Sequence, residues 1–267
     1  MYRKWKRAET EMIKILSIGN SFSQDATAYL HDMAKCGGID TKVVNLYIGG
    51  CSLYTHWENA ENDLANYAYK LNGQDTDKQV SIKEALTEDD WDYVTMQQAS
   101  HDSGIAETYF PYLAQLSEYV KKYAPNAVQL IHQTWAYEID SSHSAFPLYE
   151  NNQAIMYQAL RLAYKKAAKI LDLGIIPSGD VIQALRATKG FDYSNGGQTL
   201  CRDGFHMHLV YGRYAIAAVW YERILKGNIL KNSYMPPSAD IAIDDNLIEI
   251  TKQTVHNLCS TPKQSVG

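Results

Sequence analysis

Five short apolar runs, each followed by a stretch with helical spacing, constrain this chain more than any other feature. Residues 12–18, 41–48, 91–96, 127–132 and 173–176 read as strands. Their near-continuous apolar character is that of strands buried on both faces. Between them, Ala26, Tyr29, Leu30, Met33 and Ala34 share one helical face, closed by Gly37-Gly38. Tyr109, Tyr112, Leu113, Leu116, Tyr119, Val120 and Tyr123 mark another helix, with Pro111 acceptable in its first turn. Met156, Leu160, Ala163, Ala167 and Ile170 mark a long one, and residues 209–226 form the last strong helix. Strands alternating with helices imply a parallel sheet covered on both faces. The expected fold class is therefore α/β, one three-layer α/β/α sandwich. Residues 54–71 read as a polar helix, and 73–78, 133–150 and 188–202 as loops on the same domain.

Composition narrows the function classes. The 267-residue chain carries a net charge of −5, which argues against general nucleic-acid binding. Four positive charges sit in residues 1–7, so the rest of the chain is more acidic still. That basic start is followed by Ala8-Glu-Thr-Glu11 rather than an apolar segment, and no signal peptide is visible. The chain reads as cytoplasmic as written, or as secreted or periplasmic if a leader was removed. Its longest apolar run, 214–221, is far below the roughly 18 residues of a membrane helix, so a soluble protein is expected. Cys36, Cys51, Cys201 and Cys259 have no C-x-x-C spacing and read as free thiols. The 20 Tyr against 5 Phe fit polar-ligand surfaces, because tyrosine joins an apolar ring to a polar tip.

In open α/β sheets ligands bind beyond the carboxyl ends of the strands. The segments at those ends are Gly19-Asn-Ser-Phe-Ser23, Gly49-Gly-Cys-Ser52, Gln97-Gln-Ala-Ser-His-Asp102 and His132-Gln-Thr-Trp135. Asp203-Gly-Phe-His-Met-His208 precedes the last helix. Together they make a serine-hydrolase layout. Ser21, on a strand-to-helix turn, is the candidate nucleophile, and its backbone N–H is a candidate oxyanion donor. His206 is the candidate general base and Asp203 its orienting carboxylate. Gly50 lets a second backbone N–H approach substrate closely, and Gln97 or Gln98 offers a side-chain donor. Trp135 and Tyr137 are candidate lining residues. The plainer reading of Ser21 is a helix cap, but Ser23 and Asp25 are also available for that. His132, ending a strand, reads as a satisfied buried histidine.

These blocks resemble those of the SGNH (GDSL-type) hydrolase superfamily, and of an uncharacterised branch within it, over residues 12–227. The resemblance implies a flavodoxin-like sandwich with a five-stranded parallel sheet. It implies Ser21 as nucleophile, Ser21 and Gly50 as oxyanion donors, and Asp203 and His206 as acid and base. Two departures stand out. The first block has Gly-Asn-Ser where Gly-Asp-Ser is usual, and Met96-Gln-Gln-Ala-Ser replaces the usual Gly-x-Asn-Asp, so Gln97 takes the oxyanion role by position.

The expected domain is 12–227, with extensions at 1–11 and 228–267. The expected activity is serine-dependent ester hydrolysis without a cofactor or metal, removing a short acyl (acetyl) group from a carbohydrate or similar polar substrate. The expected partners are therefore small molecules or glycan esters, not nucleic acid or membrane. Two other readings remain. One is a non-catalytic carbohydrate-binding domain on the same fold. The other is a metallohydrolase using Asp203, His206 and His208.

Overall fold

The computed structural model describes residues 12–238 and 241–260; the N-terminal extension 1–11, and residues 239–240 and 261–267 of the C-terminal one, lie outside the described residues. In chain order the elements are β1 (Ile13–Gly19), α1 (Ser21–Thr27), α2 (Leu30–Cys36), β2 (Thr41–Tyr47) and α3 (Leu53–Glu61). Next come β3 (Tyr67–Leu71), β4 (Gln74–Val80), α4 (Ile82–Thr87), β5 (Tyr93–Met96), α5 (Tyr112–Tyr123) and β6 (Val128–His132). The chain continues through α6 (Gln153–Leu171), β7 (Gly174–Ile176), α7 (Ser178–Arg186), α8 (Tyr211–Arg223) and α9 (Asp245–Ser260).

The sheet order is β4-β3-β2-β1-β5-β6-β7. The segment from β2 to β7 is parallel throughout, and β1 pairs with β2 on one side and β5 on the other. A strand with neighbours on both edges and helices on both faces can hold little but apolar side chains, which is why β1 is buried from Ile15 onward. Helices α3 to α6 cover one face; α1, α2, α7, α8 and α9 cover the other.

The expected five-stranded parallel sheet is thus a mixed sheet of seven strands. The two additions are antiparallel: β3 on β2, and β4 on β3. They form a hairpin through Asn72-Gly73, whose φ values of 51° and 79° are those of a two-residue turn with both central residues left-handed. This hairpin occupies what the sequence suggested was the end of a helix and a loop. Its outer strand reads Gln-Asp-Thr-Asp-Lys-Gln-Val and is exposed except at Val80. An edge strand needs no apolar face, and its charges discourage edge-to-edge pairing.

Helix α8 is buried along almost its whole length, Arg213 and Arg223 excepted. Two layers account for this, since the sheet lies on one side and α9 on the other. Within the expected C-terminal extension, α9 buries Leu247, Ile248, Thr251, Val255 and Cys259. Among the described residues no helix is long and apolar enough to cross a membrane, and all four cysteines are free.

Candidate active site

The carboxyl ends of the parallel strands converge on the turn between β1 and α1. Asn20 caps α1, its Oδ1 accepting from the Phe22 N–H at 2.9 Å. The cap is therefore neither Ser23 nor Asp25, the residues the sequence offered. Ser23 donates instead to the Asn20 carbonyl and to Asn45 Oδ1. Ser21 opens the helix, where its own N–H has no intrahelical acceptor. Its Oγ lies 2.8 Å from His206 Nε2. On the other side of the imidazole, Nδ1 lies 2.7 Å from Asp203 Oδ2.

That geometry fixes the tautomer. A carboxylate only accepts, so Nδ1 carries the hydrogen and Nε2 is left to accept from the Ser21 hydroxyl. Asp203 Oδ1 also accepts from the backbone N–H of His206 at 2.8 Å and of Phe205 at 3.2 Å. Partial burial opposes the charge on Asp203, but the bonds from the His206 ring and from these two N–H groups outweigh it. They hold the carboxyl below its ordinary range. The Phe205 ring packs 4.2 Å from that of His206, centroid to centroid, and 4.8 Å from that of His143.

Asp25, one turn beyond Ser21, ties the two halves of this arrangement together. Its buried carboxylate accepts from Arg202 Nη1 at 3.1 Å, Arg213 Nε at 2.7 Å and the Met207 N–H at 2.8 Å. Arg202 and Met207 flank His206, and Cys201 and Met207 form a β-bridge across the same loop. The loop carrying His206 is thereby anchored to the helix carrying Ser21.

Behind the turn runs a buried hydrogen-bond chain with a single direction. Ser178 Oγ donates to His132 Nε2, and His132 Nδ1 donates to Gln97 Oε1, both at 3.0 Å. Gln97 Nε2 donates to Asn20 Oδ1 at 2.6 Å, and Asn20 Nδ2 donates to the Cys51 carbonyl at 3.0 Å. The five residues lie at or just past the ends of β7, β6, β5, β1 and β2, in the order of the sheet. His132 is the satisfied, buried histidine the sequence implied. Burial pushes it down to about 3, so it stays neutral.

The chain also fixes the Gly49-Gly50 turn, because Cys51 is its last anchor. Gly50 is exposed with φ +62°, a conformation that disfavours other residues. Among the described residues the N–H groups of Gly50 and Ser21 have no backbone acceptor.

Other expected site residues are placed differently. Gln97 is buried with its carboxamide engaged at both ends, by Asn20 and His132, behind the turn. Gln98, Trp135 and Tyr137 are fully buried and line no open surface. Gln98 accepts from the N–H of Leu53 and of Ala99 and donates to Thr108. Trp135 stacks on Phe22 at 4.2 Å and donates Nε1–H to the Phe205 carbonyl. Tyr137 meets Ser100 through its hydroxyl. A tryptophan three residues past a strand end packs under the site as readily as it lines it. Asp203, His206 and His208 are not gathered as a metal set. His208 Nδ1 accepts from the Val210 N–H, and no group of three or more His, Cys, Asp or Glu among the described residues is placed to hold a metal.

The fold is the α/β sandwich of SGNH hydrolases. It is shared with a Slackia heliotrinireducens protein described as a candidate SGNH hydrolase, 22% identical with a TM-score of 0.55 over 79% of this chain and 98% of that one. It is also shared with an acetylxylan esterase from Geobacillus stearothermophilus, 14% identical with a TM-score of 0.50 over 79% and 93%. The chain belongs to the DUF4886 family, a domain of unknown function, which matches residues 14–254. A DUF4886 protein from Bacteroides uniformis is 37% identical, with a TM-score of 0.85 over 95% of this chain and 97% of that one. A search of curated proteins gave no match.

Proposed function

We propose that this protein is a serine-dependent ester hydrolase that removes a short acyl group from a carbohydrate or similar polar carrier. The observation that carries the reading is the continuous contact from Ser21 Oγ through His206 to Asp203, at 2.8 and 2.7 Å. His206 Nε2 takes the hydroxyl proton as Oγ attacks the ester carbonyl. Asp203, held ionised, keeps the proton of Nδ1 in place and stabilises the imidazolium that forms. The N–H groups of Ser21 and Gly50 receive the oxyanion. His206 then returns the proton to the departing alkoxide, and water, deprotonated by the same base, releases the acid. Gln97 acts one step back, by orienting Asn20.

The acetylxylan esterase among the structures sharing the fold supports an ester substrate on a carbohydrate. The experiment is labelling with a fluorophosphonate, which traps a serine nucleophile. Labelling of the native protein and its loss in Ser21→Ala is the expected result. A folded native protein that stays unlabelled and hydrolyses no p-nitrophenyl acetate would defeat the proposal. His206→Ala should abolish hydrolysis and His208→Ala should retain it; the reverse would move the base to His208.

A further inference from the structure

A cavity of about 320 Å³ is lined by Asp203 together with Asp140, Ser142, Tyr193, Thr199 and Arg202. Its volume is at the lower end of ligand sites, which run from about 300 to 1,000 Å³. Its wall is overwhelmingly polar, and the groups on it are not all engaged. Both Asp203 oxygens are taken by His206 and Phe205, and the Thr199 hydroxyl is taken by Glu138 and Cys201. Asp140, by contrast, uses Oδ2 for the Tyr193 hydroxyl at 2.9 Å, leaving Oδ1. Arg202 uses Nη1 for Asp25 and the Met207 carbonyl, leaving the rest of its fork. Ser142 is exposed, and the Tyr193 ring stands 37% exposed.

The chemistry on offer is one carboxylate oxygen, one guanidinium edge, one hydroxyl and one aromatic face. A phosphate or carboxylate ligand would meet Asp140 and Asp203 against the single Arg202, which is already paired. A fatty acyl chain would find almost no apolar wall. A neutral polyol ring fits each group: its hydroxyls donate to Asp140 and accept from Arg202 and Ser142, and its C–H face covers Tyr193. Asp203 lines the cavity but Ser21 and His206 do not, so a ligand here is a neighbour of the reacting group and not its bearer. Tyr193 also lines a second, smaller cavity of about 40 Å³ together with Glu138 and Arg186.

We infer that this cavity is a glycosyl subsite. It holds the sugar unit next to the acylated one, so the substrate is an acylated oligosaccharide in preference to an acylated monosaccharide. The inference deepens the esterase reading and rests on it for the identity of the neighbouring group.

Binding tests it without requiring turnover. Calorimetric titration of the native protein with xylotriose, cellotriose and maltotriose should show saturable binding of at least one. The dissociation constant should rise tenfold or more in Tyr193→Ala and in Asp140→Ala, both surface changes that leave the core intact. No binding of any of the three, or binding that survives both substitutions, overturns the subsite. Fluorophosphonate labelling reports separately on the esterase. A protein that is labelled but binds no oligosaccharide loses only the subsite. One that binds but is never labelled keeps the subsite and loses the hydrolase, becoming the carbohydrate-binding domain.

Discussion

Replacing Asp25 by Asn tests whether the clamp between the Ser21 helix and the His206 loop works as described. The carboxylate accepts from three donors, two of them arginines, and its side chain is 1% exposed. Asparagine keeps the shape but supplies one acceptor oxygen, and its amide must face either Met207 N–H or Arg213 Nε, a donor against a donor. Each charge-assisted bond is worth about 1.5–3 kcal/mol. Removing one partner of a buried ion pair costs about 3–5 kcal/mol. The arginine side chains are 31% and 20% exposed and can recover some hydration, which sets the expected loss near the lower bound, about 3 kcal/mol. For a chain of 267 residues that lowers Tm by about 5 °C. Urea unfolding should show a lower midpoint at unchanged slope. At 25 °C, where the variant is still folded, kcat on p-nitrophenyl acetate should fall at least tenfold with little change in KM, because His206 loses its anchor. An unfolding free energy within about 0.5 kcal/mol of native would refute the energetic argument. A destabilised variant with native kcat would show that the Cys201–Met207 bridge alone holds the loop.

Three further outcomes are expected. Burial pushes both His56 and His132 down to about 3, so the folded state binds fewer protons than the unfolded one. Their contribution is full above 6.5 and is lost as pH falls toward 3, at about 1.4 kcal/mol per pH unit for each histidine. Urea midpoints at pH 7 and pH 5 should differ accordingly, and equal midpoints would contradict it. Truncation after Gly227 should leave a chain that unfolds far more readily, since Leu247, Ile248 and Val255 are each worth about 1.5–3 kcal/mol of burial; a fully cooperative, native-like melt of residues 12–227 would show that segment to be self-sufficient. Asp203→Asn should keep fluorophosphonate reactivity measurable but cut kcat by orders of magnitude, as an amide no longer fixes the Nδ1–H tautomer; near-native turnover would remove Asp203 from the mechanism.

The parallel strands were legible because burial on both faces leaves almost no choice of residue, and all five lie where the apolar runs stand. The hairpin was not, because Gln74–Val80 carries no alternation and takes its place through backbone pairing at an edge. Its one local signal was Asn72-Gly73. At the site, the relation of Ser21, Asp203 and His206 could be anticipated from motif placement. Asp25 could not, since its partners are 177 and 188 residues away and a lone aspartate near a helix start looks like a cap. Trp135 and Tyr137 could be read from the sequence either as lining the site or as packing under the long loop, and the structure buries both. Their rings fill the space beneath the loop, and nothing local distinguishes a floor from a wall.

The directed chain behind the nucleophile turn also bears on how the sequence can drift. Asn20 and Gln97 each stand in a block where this chain departs from the pattern it resembles, and they meet each other at 2.6 Å. An aspartate at 20 could still accept from Gln97 and from Phe22 N–H, but it would set a carboxylate oxygen against the Cys51 carbonyl. A shorter asparagine at 97 would not span from His132 to residue 20. The two departures act at different contacts of one relay: residue 20 sets the bond to the Cys51 carbonyl, and residue 97 sets the reach to His132. A change at either position alone should therefore break the relay at its own contact and loosen the Gly49-Gly50 turn that Cys51 anchors.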